Sequence, residues 1–186
     1  DDKSYVFQSG MTTALTNVAQ NGTVALMSIR LAPSVDSGLT GLLGAREIIN
    51  RMQLTLRQMD CFSTGTGVSF LIKLVLNGRV SAGTFAAVGG SSLGQICIHS
   101  GATTVTGGET IFSFFTTPAS VTQQELNLVR DLGTSILGGG NTLTAPTTAL
   151  NVFPDGPDIV TITATNVTAT ATNSINARIS WTEAQA

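Results

Sequence analysis

Strict alternation of apolar and polar residues is the feature that most limits what this chain can fold into. In "VSFLIKLVL" (Val68–Leu76), Val68, Phe70, Ile72, Leu74 and Leu76 share one face. In "INARISWT" (Ile175–Thr182), Ile175, Ala177, Ile179 and Trp181 share a face, and Asn176, Arg178, Ser180 and Thr182 share the other. Between Val160 and Thr165 the apolar Val160, Ile162 and Ala164 alternate with Thr161, Thr163 and Thr165. A period of two is the mark of a strand, because successive side chains leave opposite faces of the backbone. Threonine and isoleucine also suit a pleated surface. Turn chemistry punctuates the runs at "STGTG" (Ser63–Gly67) and "PDGPD" (Pro154–Asp158).

These signals predict two antiparallel hairpins. One joins the second half of "REIINRMQLTLRQMDCF" (Arg46–Phe62) to Val68–Leu76. The other joins Val160–Thr165 to Ile175–Thr182 across a wide loop around Thr168–Asn173, with the threonine face turned outward. Further strands are read at Val24–Ala32, Gly94–Ser100 and Thr110–Thr117, and loops at Leu31–Ala45 and Gly138–Ala149. "SVTQQELNLVRDLG" (Ser120–Gly133) has two readings. It is a helix if Ser120 caps it and Leu126, Val129 and Leu132 face inward, or a strand with Leu126, Leu128 and Leu132 inward. The 186 residues carry no repeat, charge block or low-complexity linker, so a single domain is expected, with residues 1–23 as an extended N-terminal arm. Many short strands separated by turns predict an all-β fold, a jelly-roll-like antiparallel β-sandwich with at most one short helix.

Charge narrows the role. Charged residues make up 11% of the chain, against about 25% in ordinary globular proteins, and Lys3 and Lys73 are the only lysines. Interfaces between proteins are depleted in Lys, Glu and Asp relative to free surface. A low-charge chain of this kind is expected to be an assembly subunit. The longest apolar runs fall well short of the ~20 residues that span a bilayer. With a net charge of −2 and no basic patch, nucleic acid is not an expected partner. The chain opens on Asp1 rather than methionine, which points to processing, trimming or an upstream segment.

Chemistry-bearing residues are sparse. Cys61 and Cys97 form no CxxC pair and sit in apolar runs, as buried free thiols do; their spacing leaves pairing open. "NGT" (Asn21–Thr23) and "NVT" (Asn166–Thr168) match the glycosylation triplet, but such triplets arise by chance in a threonine-rich chain. His99, the single histidine, adjoins Ser100, and neighbours in a strand point to opposite faces, so they cannot act as base and nucleophile. His99 is read as a strand-edge residue. Asp155 and Asp158 could share a hard cation such as calcium, but a Pro–Gly turn with solvated carboxylates is the favoured reading. Glu47, Glu109, Glu125 and Asp131 are dispersed. Arg46, Arg51 and Arg57 could line an anion site or make salt bridges between subunits. No catalytic, cofactor-binding or metal residue is assigned, and no enzymatic activity is expected.

Three stretches together, "LLGAREIINRMQLTLRQMD", "VRDLGTSILGGGNT" and "VFPDGPDIVTITATNV…NARISWTEAQA", resemble virion structural proteins of marine tailed phages, particularly cyanophage-like ones. The resemblance runs from about residue 40 to the C-terminus and transfers no catalytic residue. It implies a component of the virus particle: a head decoration, a knob or a fibre-associated protein. Taken with the two lysines and the threonine-faced terminal hairpin, it leads to an expected homo-oligomer, a trimer first among the stoichiometries, that docks on other virion proteins. The alternative is a receptor- or glycan-binding module on a phage fibre. That role calls for an exposed aromatic platform, and the aromatic residues number only Tyr5, Trp181 and eight phenylalanines, most of them in apolar runs.

Overall fold

A computed structural model of the chain describes residues 4–32, 34–36, 47–50, 52–101, 103–118, 121–125, 136–137, 157–168 and 172–184. Among these residues all regular structure is strand. In chain order the strands are β1 (Ser4–Gly10), β2 (Leu15–Thr16), β3 (Thr23–Leu31), β4 (Ser34–Asp36), β5 (Glu47–Ile49), β6 (Gln53–Thr64), β7 (Phe70–Leu76), β8 (Arg79–Val80), β9 (Ala86–Ala87), β10 (Gly94–Ile98), β11 (Val105–Thr106), β12 (Glu109–Phe115), β13 (Val121–Glu125), β14 (Ile136–Leu137), β15 (Ile159–Asn166) and β16 (Ser174–Ala184).

Two antiparallel sheets carry the fold. The first runs β1-β16-β6-β13, with β2 also on β16 and β14 on β6; the second runs β12-β7-β15-β3-β10-β9. Alternate residues of both sheets meet in one core. Leu54, Met59, Cys61, Ile175, Ile179 and Trp181 come from the first sheet, and Leu26, Ile29, Phe70, Ile72, Leu74, Val160 and Ile162 from the second. The fold is therefore all-β and sandwich-like, as the alternation predicts. Bulges adjust the strands to one another. Ser180 lies opposite Gln58 but Trp181 opposite Leu56, so Arg57 is the extra residue, and it moves the inward set of β6 from Leu54 and Leu56 to Met59 and Cys61.

The strands read from the sequence are present, but the two expected hairpin pairings are not. β6 and β7 do not pair: β6 lies between β16 and β13, and β7 lies between β15 and β12. The turn between them, where Gly65 takes φ 120, carries the chain from one sheet to the other. β15 and β16 do not pair either. β15 lies between β7 and β3, so the terminal hairpin is a crossover between sheets. This crossing of successive long strands is what makes the sandwich jelly-roll-like.

Two further expectations change, and one open reading is decided in part. Ser4–Gly10 is not an arm, because β1 is hydrogen-bonded along β16 from Ser4 opposite Ala184 to Gly10 opposite Arg178. Val121–Glu125 is a strand on β6, as in the strand reading of that segment; residues 126–133 lie outside the described part. Within the expected loop at Leu31–Ala45, Ser34–Asp36 pairs with Glu47–Ile49.

The threonine face of β15 is not outward. Thr161 and Thr163 are buried, because the chain folds a second, thinner layer over the outer side of the second sheet. That layer is made by the β8–β11 ribbon and the segments beside it. Ala25 N donates to Thr103 O at 2.8 Å, Ser81 N to Thr104 O at 2.9 Å, and Phe85 packs against Cys97 and Ile159. Thr161 survives burial through a 2.7 Å hydrogen bond with Ser28, and Thr163 donates to Lys73 O at 3.4 Å.

Trp181 is fully buried and has Phe7 at 6.1 Å between ring centroids. Trp181→Ala is expected to cost about 3–5 kcal/mol, as other large-to-small core changes do. Chemical denaturation measures it, and the native protein should show the blue-shifted emission of a tryptophan out of water. Thr163→Asp is expected to abolish folding, because an unpaired carboxylate would be buried. Loss of the near-UV circular dichroism signal would report it.

Candidate functional site

The inward register of β16 continues beyond Trp181 to Glu183, so alternation delivers a carboxylate to the interior, where it is fully buried. Its oxygens are well occupied. Trp181 Nε1 donates to Oε1 at 2.8 Å, Ser92 Oγ to Oε1 at 2.6 Å, and Leu93 N to Oε2 at 2.9 Å. Ser92 Oγ also accepts from Gly94 N at 3.0 Å. Glu183 thus ties the central strand of the first sheet to the turn that opens β10 in the second. A buried carboxylate is tolerated only when its lone pairs are filled in this way.

A second polar cluster lies on the covered outer side of the second sheet. Ser28 and Arg30 (β3), Cys97 (β10), His99 just beyond it, and Thr161 (β15) are all buried there. Ser28 Oγ lies 2.8 Å from His99 Nε2, and His99 Nδ1 lies 3.7 Å from Cys97 Sγ. The Arg30 guanidinium stacks 4.1 Å from the Phe85 ring centre, and its Nε donates to Gln95 Oε1 at 2.8 Å. Burial lowers the Arg30 pKa to about 10, still charged at neutral pH. Burial raises the Cys97 thiol pKa, although the Thr84 backbone and Arg30 pull it the other way. Burial lowers the His99 pKa against the hydrogen bond to the Ala82 backbone. Cys97 and His99 therefore favour their neutral forms, which is the reverse of an activated thiolate–imidazolium pair.

The outward face of the first sheet is open. Val6, Gln8, Asn176, Arg178, Ser180, Thr182, Asp60 and Phe62 lie on it, with Val121 beside Phe62. Val6 is 73% exposed, Val121 63% and Phe62 44%. Arg178 Nε donates to Asp60 Oδ2 at 2.8 Å in an ion pair, and Arg57 Nε donates to Thr182 Oγ1 at 3.2 Å.

The residues weighed from the sequence do not converge. His99 is not a strand-edge residue but is buried beneath a covering segment, while Ser100 is exposed. Cys61 and Cys97 are both free; Cys61 lies in the sandwich interior, where burial pushes its thiol up to about 12. Asp158 accepts from Asn77 Nδ2 at 2.8 Å, and Asn77 Oδ1 accepts from Ile159 N at 2.9 Å, so this carboxylate helps fasten the start of β15. Asp155, Asp131, Arg46 and Arg51 lie outside the described residues. Glu109 is exposed at the start of β12; Glu47 and Glu125 belong to β5 and β13. Asn21 is exposed, but Asn166 is fully buried and donates to Val18 O at 2.9 Å, which closes the second glycosylation triplet to modification in the folded chain. Among the described residues no three His, Cys, Asp or Glu side chains gather as a metal site would require. A half-open hollow of about 330 Å³ beside Leu15, Val18, Ala19, Val24 and Thr104 has no titratable side chain in its lining.

Glu183 is the residue that sequence reasoning passed over. Its signal was its place in register with Ile179 and Trp181. The outward position of Val6 had no comparable signal, because β1 was not read as a strand.

No protein-family model matches the chain, and no curated protein matches it. Among solved structures it is similar to one of Desmodium yellow mottle tymovirus, at 15% identity and a TM-score of 0.26, over 100% of this chain and 87% of that one.

Glu183→Ala would leave the Trp181, Ser92 and Leu93 donors without their acceptor. It is expected to destabilise the protein by about 3 kcal/mol or more, with Glu183→Gln costing less because one acceptor oxygen remains. Denaturant titrations of the two variants would check the order.

Proposed function

We propose that this chain is a structural subunit of a virus particle, a non-enzymatic β-sandwich protein that associates with copies of itself and docks on other virion proteins. The trimer is the first stoichiometry to test. The resemblance to virion proteins of marine tailed phages supports a role at the particle surface, such as a head decoration, knob or fibre-associated protein. The observation that carries the reading is the open face of the first sheet. It is hydrogen-bonded and nearly neutral, it holds Val6, Phe62 and Val121 in contact with solvent, and it balances Arg178 against Asp60. A face of that composition suits contact with protein. Glycan binding is less well supported. Among the described residues the exposed phenylalanines are Phe62 and Phe115, and they project from the outer faces of different sheets, so they form no common stacking platform.

Light scattering coupled to size exclusion should give a mass that is a multiple of 19.2 kDa. That mass should change little between low and high salt, since screening acts mainly on charges. Val6→Asp and Val121→Asp should keep the buried Trp181 emission but shift the mass toward one chain. A wild-type monomer at micromolar concentration in both salts would defeat self-association. High copy number in purified particles would favour a head position, and a few copies a tail or fibre position.

A further inference from the structure

The segment 81–85 is a strap across the outer side of the second sheet. Ser81, Ala82 and Thr84 face solvent while Phe85 is buried, so a single thickness of chain separates His99 and Cys97 from water. The strap lies directly on the two groups it covers. The Ala82 backbone favours the charged form of the His99 ring and the Thr84 backbone the charged form of the Cys97 thiol, but burial outweighs both. The fit is close. A Cβ on Gly83 (φ 147) would come within 2.5 Å of Cys97 Sγ and 3.0 Å of His99 Cε1. On its other side the imidazole meets Ser28 Oγ, which leads on to Thr161 Oγ1.

We infer that the 81–85 strap is an acid-released latch, closed over a neutral His99 and opened when that ring takes up a second proton. Burial sets the direction, and few charged or titratable groups lie near the ring among the described residues. Arg30 on β3 lies in the same covered layer, and Cys97 on β10 is the titratable neighbour of the ring. β15 presents Ile159 and Thr161, the strap itself has no titratable side chain, and the residues beyond His99 present Ser100 and Thr103. No carboxylate among these groups is placed to stabilise an imidazolium. A doubly protonated ring would also present a donor to Ser28, forcing that hydroxyl to reverse its hydrogen bond. Lifting the strap solves both problems by letting water solvate the ring.

The pH window follows from the direction of the shift. An open, hydrated ring titrates near the ordinary value of about 6.5, and the covered ring titrates lower. Above that value both forms are neutral and pH has no influence. Below it the open form binds the proton first, so each further pH unit multiplies the ratio of open to closed by up to about tenfold, until the covered ring titrates too. His99 is the single histidine, so no other side chain with an ordinary pKa in this window competes for the effect.

The test is thiol labelling of the intact chain with dithiodipyridine, which still reacts in acid, read at each cysteine by peptide mass spectrometry from pH 7.5 to 5. Cys97 is expected to label at least about tenfold faster at pH 5 than at pH 7.5. Cys61, in the sandwich interior, should stay protected, and Trp181 emission should not move. The variant His99→Gln, which cannot take up the proton, should lose the pH dependence of Cys97 labelling. Joint labelling of both cysteines would mean global unfolding and would overturn the latch, as would a Cys97 rate that ignores pH or a His99→Gln chain that keeps the acid response. Should that variant not fold, the wild-type chain decides alone. The single imidazole resonance must titrate in step with a loss of amide protection at Gly83 and Thr84, measured against the intrinsic exchange rate at each pH, and titration without that loss would overturn the inference.

Discussion

The two sheets are held in register at one end by a single carboxylate. Glu183 gathers the Trp181 indole, the Ser92 hydroxyl and the Leu93 amide onto two oxygens, and no other residue described here joins β16 to the entry of β10 by hydrogen bonds. The consequence reaches beyond the bonds themselves. Trp181 is the largest fully buried side chain, and its orientation is fixed by its Nε1–H as well as by packing. The turn before β10 is fixed in turn, and β10 carries Cys97 and leads to His99. The covered polar layer on the far side of the second sheet therefore inherits its geometry from a contact made within the sandwich.

Polar residues are used in two different ways in this chain. At the far end from Glu183, Asn166 and Asn173 both donate to Val18 O, at 2.9 and 3.0 Å, and Asn173 accepts from Val18 N at 2.9 Å. They fasten the segment after β2 to the ends of the crossover between β15 and β16. These buried amides, like Ser28 and Thr161, replace apolar packing with short, fully paired hydrogen bonds. On the open face of the first sheet most polar groups are neutral and short, and Arg178 is paired with Asp60. They leave the sheet wettable without making it repel another low-charge surface.

How much of this was legible in the sequence depends on what each signal encodes. Alternation encodes facing, and it placed Phe70, Ile72, Leu74, Ile179 and Trp181 in the core correctly. It does not encode partners. "STGTG" reads as a hairpin turn because turn residues are the same whether the chain doubles back in one sheet or crosses to the other. Thr161 and Thr163 misled for a related reason: a threonine opposite a core position looks outward until a second layer, contributed by residues far away in sequence, covers it. Cys61 and Cys97 were legible as buried free thiols, since apolar surroundings are a local property. The environment of His99 was not, because it depends on Ser28, Ala82 and Thr161, which only the fold brings together. The candidate sites from charge spacing fared least well, as Asp158 and Arg57 each found ordinary structural hydrogen bonds.

The order of strands in the first sheet also sets a timetable. Its first strand, β1, lies against β16, so that Ser4 meets Ala184 across nearly the whole described chain. β6 likewise has β16 as its neighbour. During synthesis neither strand can complete its hydrogen bonds until β16 has left the ribosome, and no long hairpin forms early to shelter them. Pairings this distant in sequence close slowly, and the edges left open meanwhile are exposed to other chains. Until β16 is in place the edges of β1 and β6 that it covers stay unpaired, so among the described residues the first sheet closes late, through its most distant partners.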